Sequence, residues 1–382
     1  MTPLAVYIHF PWCLRKCPYC DFATRRIEPG ALPHRAYADA VIAELGRRAE
    51  ALEGRRLHSV FFGGGTPSLW APAELGRVLE ATREIFDGEE DLEVTAECNP
   101  SSLDETVLTG FREVGINRVS VGVQSLSDSH LTFLGRLHDS ATARERLALA
   151  LQLMPRVSAD LMFGVATQST DEWAEDLEGV LGLGLRHMSA YALTIEPGTQ
   201  FGTLHRKGRL PVATEESYAD KFELAERRFA EAGLAHYEVS NYAVPGEESR
   251  HNAHYWRGGE YLGLGAAAVG CLFEGPGRAV RYRNSPEPER YLGMGREEVG
   301  MAEREELDGP TLMREAFMLG LRTREGIDLR GAEARCGVDP LEGRRAPVER
   351  ALANGELELR EGFLSVPLEH WLRLDGIVAR LF

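Results

Sequence analysis

A repeated alternation of short β-type runs with longer amphipathic segments is the feature that most restricts the fold of this chain. Six runs rich in β-branched or aromatic residues lie between residues 4 and 193: LAVYIHF, LHSVFF, LEVTAE, NRVSVGVQ, VSADLMF and RHMSAYAL. The segments between them, such as residues 35–52 and 72–86, have the length and periodicity of crossover helices. The pattern predicts six βα units around a parallel sheet.

Six units are fewer than the eight that close a TIM barrel, so we predict an α/β fold with an open, partial (βα)6 TIM-like barrel. Polar or glycine residues stand where the predicted strands end, at residues 63–66, Glu97 and Gln124, and Asp160 lies within a fifth strand. In parallel α/β folds these ends meet on one face, which carries the active site. The residues are therefore expected to lie together.

The regularity weakens after residue 193. We predict a helix over residues 215–232, a strand over 236–240, and then loops rich in glycine and proline. From about Asp308 the order is helix (311–321), helix (346–353), the hairpin LELREGFLSV and a last helix (368–381). This order predicts a small α+β domain of winged-helix type. The predicted regions are a partial barrel (1–235), an extension of the barrel (236–307) and the C-terminal domain (308–382).

Charge and hydropathy exclude several classes of protein. The chain has 43 lysine and arginine residues against 59 aspartate and glutamate residues, a formal net charge of −16. Such a charge repels phosphate backbones, so we expect no nucleic-acid partner. We find no secretion signal at the N-terminus, and the longest nearly apolar run, residues 261–273, is too short to cross a bilayer. These features predict a cytoplasmic protein.

Three of the six cysteines, Cys13, Cys17 and Cys20, form a C-x3-C-x2-C cluster directly after the first strand. Three thiolates on one loop can hold three irons of a [4Fe–4S] cubane and leave the fourth iron open to a chelating ligand. Cys98, Cys271 and Cys336 are predicted to be dispensable for this cluster. The alternative is a zinc site completed by His9, Asp21 or Cys98.

The segment YIHFPWCLRKCPYCDF resembles the signature of the radical SAM superfamily. More narrowly, it is similar to the group that contains oxygen-independent coproporphyrinogen III oxidases and haem chaperones of the HemW type. The resemblance continues through GGGTPS to the C-terminal domain. It implies that the amino and carboxylate groups of S-adenosylmethionine (SAM) chelate the open iron. In the superfamily an electron from the reduced cluster then cleaves SAM to a 5′-deoxyadenosyl radical; whether this chain does so stays open.

The glycines at residues 63–65 remove the Cβ atoms that would keep a ligand away from the backbone, although an ordinary strand-to-helix turn would also contain glycine. Strand-end carboxylates and amides can accept hydrogen bonds from a ribose or an ammonium group, and an arginine can pair with a carboxylate. The resemblance implies that the following residues contact SAM or the cluster: Tyr7, Tyr19, Gly64, Gly65, Thr66, Glu97, Gln124, Arg136 and Asp160.

Several positions distinguish the two branches of this group. The oxidases tend to have a fourth cysteine where this chain has Phe22, and an N-terminal arm for which the position of Cys13 leaves no room. HNAHYW, at residues 251–256, resembles the H-N-x-x-Y-W motif of the chaperones. An imidazole can ligate haem iron, and Tyr255 and Trp256 offer flat faces to the macrocycle. The resemblance favours His251 as the haem ligand, with His254 as the local alternative.

The sequence therefore predicts a haem chaperone with a [4Fe–4S] cluster and SAM as cofactors and haem as bound cargo. Its expected partners are a haem-accepting membrane or respiratory protein, approached at the membrane surface, and a reductant protein. The first alternative is coproporphyrinogen III oxidase, which decarboxylates its substrate oxidatively to protoporphyrinogen IX. A third is an electron-transfer or zinc-stabilised scaffold, which leaves the glycine run unexplained.

Overall fold

A computed structural model describes residues 2–293 and 301–382. Met1, in the predicted region 1–235, and residues 294–300, in the predicted region 236–307, lie outside the described residues. Within the described ranges, no helix is both long enough and apolar enough to span a bilayer.

The N-terminal region alternates strands and helices as predicted. Its strands are β1 (Thr2–Phe10), β2 (Trp12–Cys13), β3 (Arg25–Arg26), β4 (Arg55–Gly64), β5 (Gly88–Cys98), β6 (Arg118–Gln124), β7 (Arg156–Phe163) and β8 (His187–Ala192). Its helices are α1 (His34–Ala49), α2 (Pro72–Ile85), α3 (Glu105–Glu113), α4 (Asp128–Phe133), α5 (Ser140–Leu153), α6 (Thr170–Leu181), α7 (Gln200–Arg206) and α8 (Glu215–Glu231).

The six predicted barrel strands are neighbours in one sheet. They follow the order β1-β4-β5-β6-β7-β8, and every adjacent pair is parallel. The sheet is open, since its order runs on to β14 at one edge and β9 at the other. The predicted open, partial (βα)6 barrel is therefore confirmed.

Side chains alternate across each barrel strand, because successive residues point to opposite faces. In β6, Val119, Val121 and Val123 are fully buried in the main apolar core, whereas Arg118 and Ser120 line a cavity inside the barrel. The apolar face of the sheet is covered by the crossover helices, as parallel sheets require. The polar face points inward and supplies the candidate site.

The region after α8 adds strands to both edges of this sheet. Its elements are β9 (Ala235–Glu238), β10 (Asn241–Ala243), α9 (Arg250–Trp256), β11 (Glu260–Leu264), β12 (Val269–Gly275), β13 (Arg278–Asn284), α10 (Pro288–Leu292) and β14 (Met301–Asp308). β10 pairs with β8, and β11 lies parallel to β1, from Leu4 opposite Glu260 to Ile8 opposite Leu264. The prediction of loops after residue 240 is thus wrong. These short, glycine-containing runs are ordered by pairing with distant strands, a long-range effect that local sequence does not report.

The C-terminal domain has the element order of a winged helix. Its elements are α11 (Gly309–Gly320), β15 (Ile327–Asp328), α12 (Leu329–Cys336), α13 (Arg345–Ala353), β16 (Glu358–Arg360), β17 (Phe363–Ser365) and α14 (Leu374–Ala379). The predicted helix over residues 368–381 is a 3-10 segment, Leu368–Arg373, followed by α14. The sequence prediction missed α12, although the Asp328 side chain caps its first turn and Gly337 ends it with a φ of 66°.

Candidate functional site

The three clustered cysteines lie on one loop, residues 11–27, which we call the cysteine loop. β2 and β3 close it by pairing Cys13 with Arg26, and the amide of Cys20 donates to the carbonyl of Cys17 (3.2 Å). All three thiols are half-buried. The Thr66 hydroxyl donates to the sulfur of Cys13 (3.4 Å), which joins the loop to the glycine segment after β4. The structure therefore brings Cys13, Cys17, Cys20 and Thr66 together.

The donor set of the cysteine loop, three half-buried thiols, matches the ligand number of a [4Fe–4S] cluster with one open iron. Burial raises the pKa of the Cys13 thiol and raises that of Cys20 to about 11, so both favour the neutral form without a bound cation. The guanidinium of Arg136 lies 3.7 Å from the sulfur of Cys17. Within residues 2–293 and 301–382, there is no group of three or more histidine, cysteine, aspartate or glutamate side chains that could hold a metal ion. Three thiolates bound to three irons of a cubane would each contact a different iron, with the fourth iron open.

Arg136 and Tyr19 lie beside the cysteine loop. Arg136 donates to the carbonyl of Gly122 (2.8 Å) and hydrogen-bonds to the Tyr19 side chain, so it links the loop to the end of β6. Its Nε atom is buried and has no partner among the described residues. Gln124, the last residue of β6, has a φ of 69°, a left-handed conformation that is uncommon outside glycine.

The glycine segment after β4 allows close packing of the cysteine loop as well as the approach of a ligand to the backbone. A Cβ at Gly65 would lie 2.5 Å from the carbonyl oxygen of Trp12 and 2.7 Å from that of Phe10. Gly64 has a φ of +103°, and a Cβ there would collide with the His9 ring. Gly65 therefore allows the cysteine loop to pack closely against the segment after β4, and its predicted contact with SAM or the cluster stays a prediction. Gly64 lines the barrel cavity and donates its amide to a Glu97 carboxylate oxygen (2.9 Å).

A cavity of about 490 Å³ occupies the barrel interior, within the usual size range of small-molecule sites. Five of the predicted site residues line it: Tyr7, Gly64, Glu97, Asp160 and His251. The side formed by β5 to β8 is polar, and the Asp160 carboxylate accepts from the Ser120 hydroxyl (2.9 Å). Tyr19, Gly65, Thr66, Gln124, Arg136 and the three cysteines lie outside its lining. The predicted residues therefore fall into a cavity group and a group around the cysteine loop.

The opposite side of the cavity is an aromatic wall, which consists of Tyr7, Phe61, His251, Tyr255 and Tyr261. The rings of Phe61 and His251 are stacked with centroids 4.9 Å apart, and the centroids of His251 and Tyr255 are also 4.9 Å apart. Aromatic rings at this spacing attract one another and offer flat apolar faces to a ligand. Phe22, which is 57% exposed, also lines the cavity.

The two histidines of the HNAHYW motif have different surroundings. His251 is buried, and its Nδ1 pairs with the Ser59 hydroxyl (2.8 Å), whereas its Nε2 has no partner in the described residues. His254 instead pairs its Nε2 with the carbonyl of Glu260 (2.8 Å) and lines a separate cleft. Tyr255 belongs to the aromatic wall, whereas Trp256 hydrogen-bonds to Glu238 and lies outside the cavity lining. Of the two, only His251 lines the barrel cavity, and its Nε2 is buried and unpartnered among the described residues.

Several cavity residues were absent from the sequence-based prediction, among them Arg118, Thr95, His187 and Asn241. The alternation of polar and valine residues in β6 was a usable signal for Arg118, because it places that side chain on the inner face. Asn241 comes from β10, a three-residue strand that the sequence does not distinguish from a loop.

Glu97 is expected to titrate near neutral pH. Its pKa is raised from 4.5 to about 7, chiefly by loss of hydration in the cavity and also by the neighbouring Asp160, whereas the hydrogen bond from Gly64 lowers it. A carboxyl group whose pKa is raised by folding stabilises the folded protein at pH values below its unfolded-state pKa. This stabilisation is lost as the pH rises through about 7. A Glu97→Gln variant, which stays neutral, should therefore match the wild type at about pH 4.5 and become progressively more stable than it up to about pH 8.

The measurement is the unfolding midpoint of both proteins, without added SAM, at several pH values. Comparing the variant with the wild type removes the titration of groups that do not interact with Glu97, and an Asp160→Asn background removes that of Asp160. A difference between the two that stays constant from about pH 4.5 to about pH 8 would contradict a titrating Glu97.

Two family models match the chain. The model described as the Radical SAM superfamily matches residues 7–179, and the model described as the HemN C-terminal domain matches residues 307–372. Among solved structures, coproporphyrinogen III oxidase (HemN) of Escherichia coli superposes with a TM-score of 0.81 at 20% identity, over 100% of this chain and 90% of that one. At that identity the likeness shows the shared fold alone.

Curated relatives are more similar in sequence. The chain is 37% identical over 294 residues to a protein of Escherichia coli strain K12 named heme chaperone HemW, covering 76% of each chain. It is 34% identical over 385 residues to the protein of that name from Mycobacterium tuberculosis strain H37Rv, covering 99% of this chain and 95% of the relative. It is also 38% identical over 332 residues to radical S-adenosyl methionine domain-containing protein 1, mitochondrial, of Bos taurus, covering 85% and 74%.

Proposed function

The chain belongs to the HemW family of haem chaperones, a group of radical SAM proteins, and from that premise we propose that it binds haem in the barrel cavity beside a SAM-ligated [4Fe–4S] cluster. Membership of this family confirms the resemblance that was predicted from the CPYCDF, GGGTPS and HNAHYW motifs. The name heme chaperone, which several relatives carry, supports haem as the ligand of this chain.

The unpartnered Nε2 atom of His251 is the observation that carries this proposal. A buried imidazole normally satisfies both nitrogens, and here Ser59 satisfies Nδ1 alone. The pKa of His251 is lowered well below its ordinary value, chiefly by burial, so the ring is neutral at physiological pH. A neutral imidazole with a free nitrogen is the form that ligates iron, and the aromatic wall offers apolar faces to the macrocycle.

The cofactors divide between the two groups of site residues. We propose that Cys13, Cys17 and Cys20 hold the cluster and that Tyr19, Gly65, Thr66, Gln124 and Arg136 act around it. Tyr7, Gly64, Glu97 and Asp160 would bind SAM where it reaches from the open iron into the cavity. When bound, the cluster supplies a coordination position for SAM and a source of single electrons.

Haem delivery requires partners beyond this chain. We propose a haem-accepting membrane or respiratory protein as the recipient and a reductant protein as the electron source. The protein would work in the cytoplasm and approach the membrane surface during transfer. The formal charge of −16 supports a protein partner over nucleic acid, because a phosphate backbone would be repelled.

Haem titration tests the proposed ligand. We expect the wild type to shift the Soret band of added haem, and His251→Ala to lose most of that shift because the axial nitrogen is removed. His254→Ala is the matched control from the same helix, since His254 faces another cleft, and it should bind haem like the wild type. A Soret shift that survives His251→Ala and disappears in His254→Ala would assign the iron ligand to His254.

The first alternative, coproporphyrinogen III oxidase, is tested on the same preparation. Reconstituted protein is incubated anaerobically with SAM, reductant and coproporphyrinogen III, and the porphyrins are then analysed. We expect no catalytic turnover. Formation of protoporphyrinogen IX over many turnovers would overturn the chaperone assignment, whatever the haem titration shows.

A further inference from the structure

The barrel cavity contains a buried cation without a counter-ion in contact. Arg118, the first residue of β6, is 3% exposed and lines the cavity. Its guanidinium makes no hydrogen bond or ion pair with the part of the chain that the structure describes, and its buried Nε has no partner there. A buried charge without a partner is costly, so natural proteins retain one where a ligand completes the site.

The neighbouring charged residues of the interior are paired. Arg156, opposite Arg118 in the register of β6 and β7, forms an ion pair with Glu93 (2.7 Å) and another with Glu247 (3.1 Å). The carboxylate of Asp160 accepts from the Ser120 hydroxyl. Arg118 therefore has no anionic group in direct contact among the described residues, and its charge interacts through space with the Asp160 carboxylate.

Two further polar atoms of the cavity lack partners among the described residues. They are the hydroxyl of Thr95, which is fully buried, and the Nε2 of His251. Thr95 is the register partner of Arg118 on the adjacent strand β5. Each buried unsatisfied polar group in a native structure needs an explanation, and here three such residues line one cavity. A ligand with an anionic end would satisfy Arg118 and Thr95 together.

Arg118 is well separated from the second guanidinium of the site. Arg136 binds the carbonyl of Gly122, four residues further along β6, beside the cysteine loop. At a strand rise of about 3.3 Å per residue, Arg118 and Gly122 lie about 13 Å apart along the strand. A carboxylate held at the cysteine loop is therefore out of reach of Arg118, which is free for a different carboxylate.

We propose that Arg118 binds a propionate carboxylate of haem at the floor of the cavity, with the Thr95 hydroxyl as a second donor. This inference rests on the proposed function and deepens it, because it names the group of the cargo that the chain recognises. Guanidinium and carboxylate pair through two parallel hydrogen bonds, which fixes orientation as well as adding affinity. The propionate would point into the barrel while the iron meets His251 and the ring lies against the aromatic wall.

The test compares the binding of haem with that of haem dimethyl ester. The propionate groups of the ester carry no charge, whereas those of haem do. The wild type should bind haem roughly 10- to 100-fold more tightly than the ester, as expected for a hydrogen-bonded charged pair in a desolvated site. In Arg118→Gln the two ligands should bind with equal affinity. Arg118→Lys keeps the positive charge but cannot form two parallel hydrogen bonds with a carboxylate. It should retain part of the preference for haem over the ester. SAM affinity, measured separately, should be unchanged in Arg118→Lys, which keeps the charge that acts on Asp160.

Each other outcome refutes a distinct statement. If the wild type binds haem and its ester equally, the propionate subsite is wrong while haem binding stands; this comparison needs no variant to fold. If Arg118→Gln weakens SAM binding and leaves the preference for haem over its ester intact, Arg118 serves the SAM carboxylate instead. If the wild type gives no Soret shift with either compound, the proposed function itself fails.

Discussion

Replacing any one of Cys13, Cys17 and Cys20 by serine is expected to abolish the iron–sulfur cluster. Each thiolate would hold a different iron of the cubane, and the described structure offers no other cysteine near the loop to replace a lost ligand. Anaerobically reconstituted wild-type protein should contain about four irons per chain, and each serine variant should lose most of the iron and its visible absorbance.

Cys98, Cys271 and Cys336 provide the matched controls, because they are buried in the apolar cores, apart from the cysteine loop. Serine variants at these three positions should keep the full iron content. Stoichiometric zinc with no iron in the reconstituted wild type would support the zinc alternative. If Cys98→Ser loses iron while Cys271→Ser and Cys336→Ser keep it, Cys98 is a further ligand of the cluster.

Replacing Glu44 by alanine is expected to lower the free energy of unfolding by about 3–5 kcal/mol, the usual cost of breaking a buried ion pair by removing one partner. Glu44 is fully buried in α1 and pairs with Arg48 (2.7 Å). Its carboxylate also accepts from the amide of Gly265 (3.0 Å), the Asn284 side chain (2.8 Å) and the Tyr291 hydroxyl (2.7 Å). One carboxylate thus joins the barrel to the region that carries β11 to β13.

A matched control is the exposed pair of Arg257 and Glu325, in which the side chains are 66% and 49% exposed. Solvent screens such pairs, so Glu325→Ala should lower the free energy of unfolding by less than about 1 kcal/mol. Both variants are compared with the wild type by urea denaturation of cluster-loaded protein, followed by circular dichroism. Equal losses in the two variants would show that the Glu44 network is not a main link between the regions.

The Glu44 network also has a functional consequence. His251 stands on α9, just before β11, and β11 joins the barrel by pairing with β1 and through the ion pair of Glu260 with Arg55. Loosening the attachment of this region would move the three residues of the aromatic wall that it carries, His251, Tyr255 and Tyr261, relative to the rest of the cavity. We therefore expect Glu44→Ala to weaken haem binding, although it removes neither histidine of the HNAHYW motif.

The local sequence was sufficient for two features. The six-unit parallel sheet follows from alternation with a period of two in the strands and from helix-length segments between them, since both patterns arise within each element. The cysteine loop follows from the spacing of Cys13, Cys17 and Cys20, because residues within eight positions of one another stay close in any fold. Family membership was also readable from short motifs.

Tertiary structure alone decided which polar residues share the cavity. The free nitrogen of His251 depends on a contact with Ser59, 192 residues away, and His254 on the same helix faces another cleft. The pairing of β11 with β1, which ordered a segment predicted as loop, joins residues more than 250 positions apart. Arg118 is conspicuous only because no carboxylate in the described chain forms a direct ion pair with it, although the charge of Asp160 acts on it through space. Such arrangements depend on the relative positions of distant strands, and local propensity and spacing carry no information about those positions.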